Sequence, residues 1–424
     1  MNFFPHQKAR WILISNGLNH GETLAYTLLI PWIIPVFFPY ASPETHLAWG
    51  YSVLAMGIVT TPLGAVLFSW IAQCVGALFG LKWCLLGKAL LTGLFLMCPG
   101  YKVLGTSSLA LFFLLRFLIG VFSSGLSSIS KIYIMEKKND EKKENYAHRF
   151  SYLYQFSTMC GYVGTSILVN GVTKEAFFSW RWIFLPFLLQ GGIGMMCIAW
   201  LSKNKYFRKA ENFISFSYRF FSYRSALELF SFHYKPLCMV SLTTGLSYIL
   251  WSLAFVMMNG LIPLTAFMSY ATAFSANQWF MGVDMALILI LGPILTHYVP
   301  ENILKKSTII VAISFPMSFF LLDFYPSLIM IMAVRLWIVL WGVIFSCPLH
   351  MCYKRCCPED KIYLIVGLGS TLGGSIIGKL TPILTVWIYH KTGTFFFIGI
   401  YTAVIAFLTR ITLHFVKPNY GNLG

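Results

Sequence analysis

NGLNHGETLAYTLLIPW, residues 16–32, is the stretch on which the reading of this chain turns. Its second half is apolar enough for lipid, yet its first turns carry Asn16, Asn19, His20 and Glu22. Ser15, Asn19, Glu22 and Tyr26 follow a 4-3-4 spacing and share one helical face. Asn16, His20, Thr23 and Thr27 form an adjoining stripe. At a 1.5 Å rise per residue Glu22 lies about 16 Å into such a helix, near the middle of a bilayer. An ionised group at that depth costs at least about 3 kcal/mol unless it is paired or faces water. Glu22 is therefore a candidate functional residue by default.

The rest of the chain supports a membrane setting. Of its 424 residues, 58% are hydrophobic and 11% charged. The apolar runs are continuous rather than alternating, which favours helices over a β-barrel. About twelve spans are expected, near 11–38, 47–73, 80–99, 107–135, 149–171, 181–201, 236–265, 275–299, 307–325, 326–349, 360–390 and 393–416. The fold class expected is thus an all-α polytopic membrane protein of two six-helix bundles, 1–201 and 236–424, joined by a cytoplasmic linker, 202–235. The first span carries polar groups and no small-residue cleavage site follows it, so it reads as retained.

Lys and Arg set the orientation. They crowd the start of the chain, the loop around Lys137–Arg149, the linker, Lys305–Lys306 and Lys354–Lys361, while the opposite loops hold only Lys102, Lys174, Arg181 and Lys391. Both termini are expected in the cytoplasm. The net charge of +17 follows this pattern and does not indicate nucleic acid. The ten cysteines show neither metal spacing nor a disulfide framework; Cys352, Cys356 and Cys357, clustered in one loop expected in the cytoplasm, read as reduced structural thiols, with a metal or lipid site as the competing reading.

Only two of the 14 acidic residues fall well inside spans, Glu22 and Asp284; Glu301 is placed with the loops and span ends. The fourth span carries Arg116, Gly120, Ser123, Ser127 and Lys131 along one face, with Arg116 at a depth of about 14 Å. Glu22 and Arg116 are expected to pair directly, or through substrate or water. Lys88 and Lys131 are read as snorkelling. The second half offers Asp284, Arg335 and Lys379. The proton-coupling candidates are Glu22, Asp284 and His20; for His20 a packing role is the competing reading. Asn16, Asn19, Tyr26, Arg116, Gln155, Arg335 and Lys379 are the substrate-binding candidates. Tyr154, Tyr162 and Trp251 could face a quaternary amine, although core packing explains each singly.

Two sets of six spans, a central linker and RFLIGVFSSG (116–125) resemble the major facilitator superfamily. SNGLNHGETLAYTLLI followed by FFPYASPE, TTPLGAVLFSWIAQCVG (60–76), FFSWRWIFLPFLL and STLGGSIIGKLTPILTVWI narrow the likeness to the metabolite:proton symporter family, which includes proline/betaine permeases. The chain departs from that pattern. Gln73, Cys74 and Ala77 stand where the superfamily's loop carries an aspartate and basic residues. Asn19 replaces a first-helix glutamate, Glu22 replaces the nearby aspartate, and Leu126 replaces a glutamate. The loop THYVPENILKK is likewise eroded.

The resemblance implies a secondary transporter that moves a small polar or zwitterionic metabolite by alternating access, coupled to protons. It implies a bacterial inner membrane, no cofactor, no metal, and the lipid bilayer, substrate and protons as partners. The alternatives are an uncoupled facilitator or exporter of the same fold, a non-transporting receptor or scaffold, and a membrane-embedded transferase using His20 and Glu22. Midplane polar residues spread over separate helices argue against the last.

Overall fold

The computed structural model describes residues 7–40, 46, 49, 52–53, 56–135, 143–172, 179–202, 231, 233–261 and 270–416. Nearly all of the expected linker lies outside these residues, as do Lys137, Lys138 and Lys142.

The helices follow the expected order. They are α1 (Gln7–Phe37), α2 (Gly57–Cys74), α3 (Ala77–Met97), α4 (Ser107–Tyr133) and α5 (Lys143–Val172). α6 runs as Trp180–Phe184, a 3₁₀ turn Leu185–Leu188 and Leu189–Ser202. α7 (Tyr234–Ser252) continues into a π-helical turn, Leu253–Met257. Then come α8 (Tyr270–Leu295), α9 (Pro300–Phe324) and α10 (Leu328–Ser346). α11 runs as Ile362–Leu372, a second π turn Gly373–Gly378 and Lys379–Thr392, and α12 is Phe396–Phe415. Among the described residues ten helical stretches are long and apolar enough to cross a membrane. α1 and α5, of 31 and 30 residues, are long enough but more polar, because they carry the asparagine, histidine, serine and tyrosine residues discussed below. The chain is a multi-pass integral membrane protein.

Two boundaries moved for identifiable reasons. PENILKK, read as an eroded loop, forms the first turns of α9. Pro300 at the helix start loses no hydrogen bond there, and Glu301 suits the positive end of the helix dipole. These turns are helical but polar, so hydropathy passed over them. At the far end of α10, Pro348 ends the span, and a separate short helix, Leu349–Cys356, follows.

The chain divides into two compact units. The first is Met1–Ile134 with Ser157–Tyr223; the second is Met135–Phe156 with Arg224–Gly424. Within the first unit α1 and α5 cross at backbone contact: a methyl group at Gly161 would overlap the carbonyl of Gly17. An aromatic cluster of Phe37, Phe95, Phe112, Trp180 and Phe184 closes one end of this unit. Within the second unit α7 and α11 cross in the same manner, with Gly373 set against the carbonyl of Ser241. Asp323 of α9 accepts 2.8 Å hydrogen bonds from the backbone N–H groups of both Phe395 and Phe396, capping α12.

Candidate functional site

The polar face of α1 meets α3 and α4 in the first unit. The Glu22 carboxylate accepts a hydrogen bond from Thr92 Oγ1 at 2.7 Å, and its Oε2 lies 2.8 Å from Lys88 Nζ. Lys88 Nζ also donates to Asn19 Oδ1 at 2.5 Å. Ser123 Oγ donates to the same oxygen at 2.8 Å, and Asn19 Nδ2 donates to Ser127 Oγ at 2.9 Å. One network thus ties α1, α3 and α4 together. It is buried: Glu22 is 2% and Lys88 1% exposed. Burying two charges costs several kcal/mol per ion unless geometry and further hydrogen bonds offset it. Thr92 and Asn19 provide those further bonds on the anionic and cationic sides.

This arrangement corrects two expectations. Lys88 does not snorkel; it is the direct counter-ion of Glu22. Arg116 forms no direct pair with Glu22. Its guanidinium instead stacks on the Tyr26 ring, 3.8 Å from the centroid, with Phe95 at 5.5 Å. The Nε and Nη1 donors of Arg116 are buried and have no hydrogen-bond partner among the described residues, and neither does the Tyr26 hydroxyl. A fully buried amide, Gln190 of α6, likewise has neither its oxygen nor its nitrogen hydrogen-bonded among them.

The adjoining stripe of α1 faces α5. Asn16 Nδ2 donates to Ser157 Oγ at 2.8 Å and Thr158 Oγ1 at 2.9 Å. His20 Nδ1 lies 3.3 Å from the Tyr162 hydroxyl, with the two rings edge to face. The helical spacings in α1 and α4 thus predicted the facing sides. They did not reveal Lys88, Thr92 or Gln190. Their partners sit on other helices, and a lysine near a span end fits snorkelling by position alone. One signal was available: Lys88 and Thr92 stand one turn apart on α3, a polar pair in an apolar helix.

In the second unit Arg335 of α10 donates to Asn277 Oδ1 and lies over the Phe280 ring, 4.7 Å from its centroid. Arg335 is 1% exposed, and its Nε has no hydrogen-bond partner among the described residues. Asp284 of α8 is 8% exposed and has neither hydrogen bond nor ion pair among them. Lys379 follows directly on the π turn of α11 and is exposed. Gln155 falls in this unit, with Nε2 3.2 Å from His350 Nε2, and Tyr154 packs edge to face on the same histidine. Glu301 is also deeper than expected, buried in the first turn of α9 with Arg355 Nε 3.0 Å from Oε1.

Helix order and packing define the major facilitator fold. The crystal structure of the proton:xylose symporter XylE, a protein of E. coli, covers 97% of this chain and 96% of its own at a TM-score of 0.74 and 11% identity. The human organic anion transporter MFSD10 covers 96% of this chain and 100% of its own at a TM-score of 0.68 and 15% identity. In sequence, the chain is similar to a Staphylococcus haemolyticus protein named as a proline/betaine transporter, 25% identical over 190 residues, 43% of this chain and 39% of that protein. It is also similar to the alpha-ketoglutarate permease of Escherichia coli, 27% identical over 192 residues, 42% of this chain and 41% of that one. The chain therefore matches only about two fifths of the length of these curated relatives. No family model matches it.

Proposed function

We propose that this protein is a secondary active transporter that carries a small polar or zwitterionic metabolite by alternating access, coupled to protons. The observation that carries this reading is Arg116. It is a cation held on an aromatic ring deep in the fold, with two buried donors unused, beside a carboxylate already neutralised by Lys88. Such donors suit the carboxylate of an arriving solute. Relatives named for proline/betaine and alpha-ketoglutarate transport, and the XylE symporter among the fold's neighbours, support the reading.

In this scheme Tyr26, Asn16 and Asn19 contribute neutral groups, Gln155 adds an amide, and Arg335 and Lys379 are the cations of the second half. Glu22 exchanges the proton, with Asp284 second and His20 third. A proton arriving on Glu22 would release Lys88 from its ion pair, so uptake of the proton and rearrangement of α1 against α3 are one event. The bundles 1–201 and 236–424, joined by 202–235, would rock about a midplane site. The protein would lie in a bacterial inner membrane with both termini cytoplasmic.

The test is uptake into proteoliposomes of radiolabelled proline, betaine, dicarboxylates and amino acids, with and without an inward pH gradient. One solute should accumulate, and only with the gradient; flat uptake of all would end the proposal. The closed Glu22–Lys88 pair favours a second reading, an uncoupled facilitator in which that pair is a fixed strut. Gradient-independent uptake, unchanged in Glu22→Gln, would select it.

A further inference from the structure

The second unit contains a cluster that transport does not use. Cys352 and Cys356 stand one turn apart on the helix Leu349–Cys356, with Sγ atoms 3.9 Å apart. Glu301, from the first turn of α9, brings Oε1 to 3.8 Å from Cys356 Sγ. These ligand atoms all lie within 4.8 Å of one another, and all three residues are buried. The ion pair with Arg355 accounts for Glu301 Oε1 but not for Oε2, which is buried without a hydrogen-bond partner among the described residues. Nor does packing require two thiols to face one carboxylate, since S–H is a poor donor to satisfy it.

We propose that Cys352, Cys356 and Glu301 bind a divalent cation of the zinc class. With metal–sulfur bonds of about 2.3 Å and metal–oxygen bonds of about 2.0–2.2 Å, a tetrahedral site spaces sulfur from sulfur by about 3.8 Å and sulfur from oxygen by about 3.5 Å. The distances of 3.9 and 3.8 Å already approach that spacing. Charge agrees as well. Two thiolates and a carboxylate carry three negative charges, the cation carries two positive ones, and Arg355 at 3.0 Å balances the remainder. Binding would release the two thiol protons to solvent. Glu301 Oε1 would ligate the cation with Arg355 still beside it, leaving a fourth position to Oε2 or water. The cation would clasp the start of α9 to the helix that follows α10. Sequence spacing gave no sign of it, because the third ligand comes from a different helix.

The protein, purified in detergent, reduced and stripped by a chelator, is titrated with Co²⁺ and then Zn²⁺. One Co²⁺ per chain is expected, with a near-ultraviolet thiolate-to-metal band that Zn²⁺ abolishes. The band should vanish in Cys352→Ser/Cys356→Ser and persist in Cys84→Ser. Affinity should fall about 10–100-fold in Arg355→Gln, as for loss of a partner that orients a ligand. Size-exclusion profiles establish that each variant is folded. If the double variant does not fold, wild type and Glu301→Gln decide, with loss of affinity expected in the latter. The proposal is overturned by wild type that takes up no stoichiometric Co²⁺, by a band that survives loss of both thiols, or by an intact Cys352–Cys356 disulfide in the native protein.

Discussion

Arg116 and Arg335 hold the same rank in their halves of the chain, on α4 and α10, the fourth helix of each, and each is laid over an aromatic ring, Tyr26 or Phe280. Their surroundings differ. In the first unit the buried carboxylate, Glu22, is matched by Lys88 and Thr92. In the second, Asp284 has no such partners among the described residues, and Arg335 is met by a neutral amide, Asn277. A carboxylate answered by a cation and a hydroxyl is a structural tie whose loss is felt at once. A carboxylate left unanswered holds little together, and its protonation breaks no ion pair. The helix order repeats, but the cost of freeing the buried carboxylate does not.

The sharpest way to break this contrast is Lys88→Met, which strands Glu22 in the interior. Stability should fall by roughly 3–5 kcal/mol, with most of it restored in Lys88→Met/Glu22→Gln, as followed by thermal unfolding in detergent. Failure of the double substitution to recover would mean that the tie is not electrostatic. Thr92→Val removes one hydrogen bond to a charged group and should cost about 1.5–3 kcal/mol. Gly161→Ala and Gly373→Ala test what the units share. Each forces apart a helix pair in backbone contact and should cost about 1–3 kcal/mol; sensitivity at only one would show that the crossings are not equivalent. The smallest stability change is expected for Asp284→Asn, less than about 1 kcal/mol, since no ion pair is lost. Its effect should appear in gradient-driven uptake instead.

Much of this was legible in the sequence, for a physical reason. Lipid demands long apolar helices, so the number and order of spans can be read directly, and the 4-3-4 spacing of α1 put Asn19 and Glu22 on one face. What could not be read is which residue answers a buried charge. Arg116 matched Glu22 in depth and lay on a polar stripe, whereas Lys88 sat near a span end. Depth restricts a pair to one level of the membrane but does not choose among the helices crossing that level; packing chooses. The start of α9 was missed for the opposite reason: a polar helix end has no signature in hydropathy.

One consequence of the Arg116 setting concerns electricity rather than structure. With Glu22 and Lys88 cancelling, the guanidinium leaves this layer one positive charge in excess. A monoanion entering with one proton would move no net charge per turnover, whereas a zwitterion with one proton would move one. The second case would draw about 2.3 kcal/mol from every 100 mV of membrane potential, and the first would draw nothing. Current recorded from a loaded bilayer would therefore report the solute's charge before its identity is known.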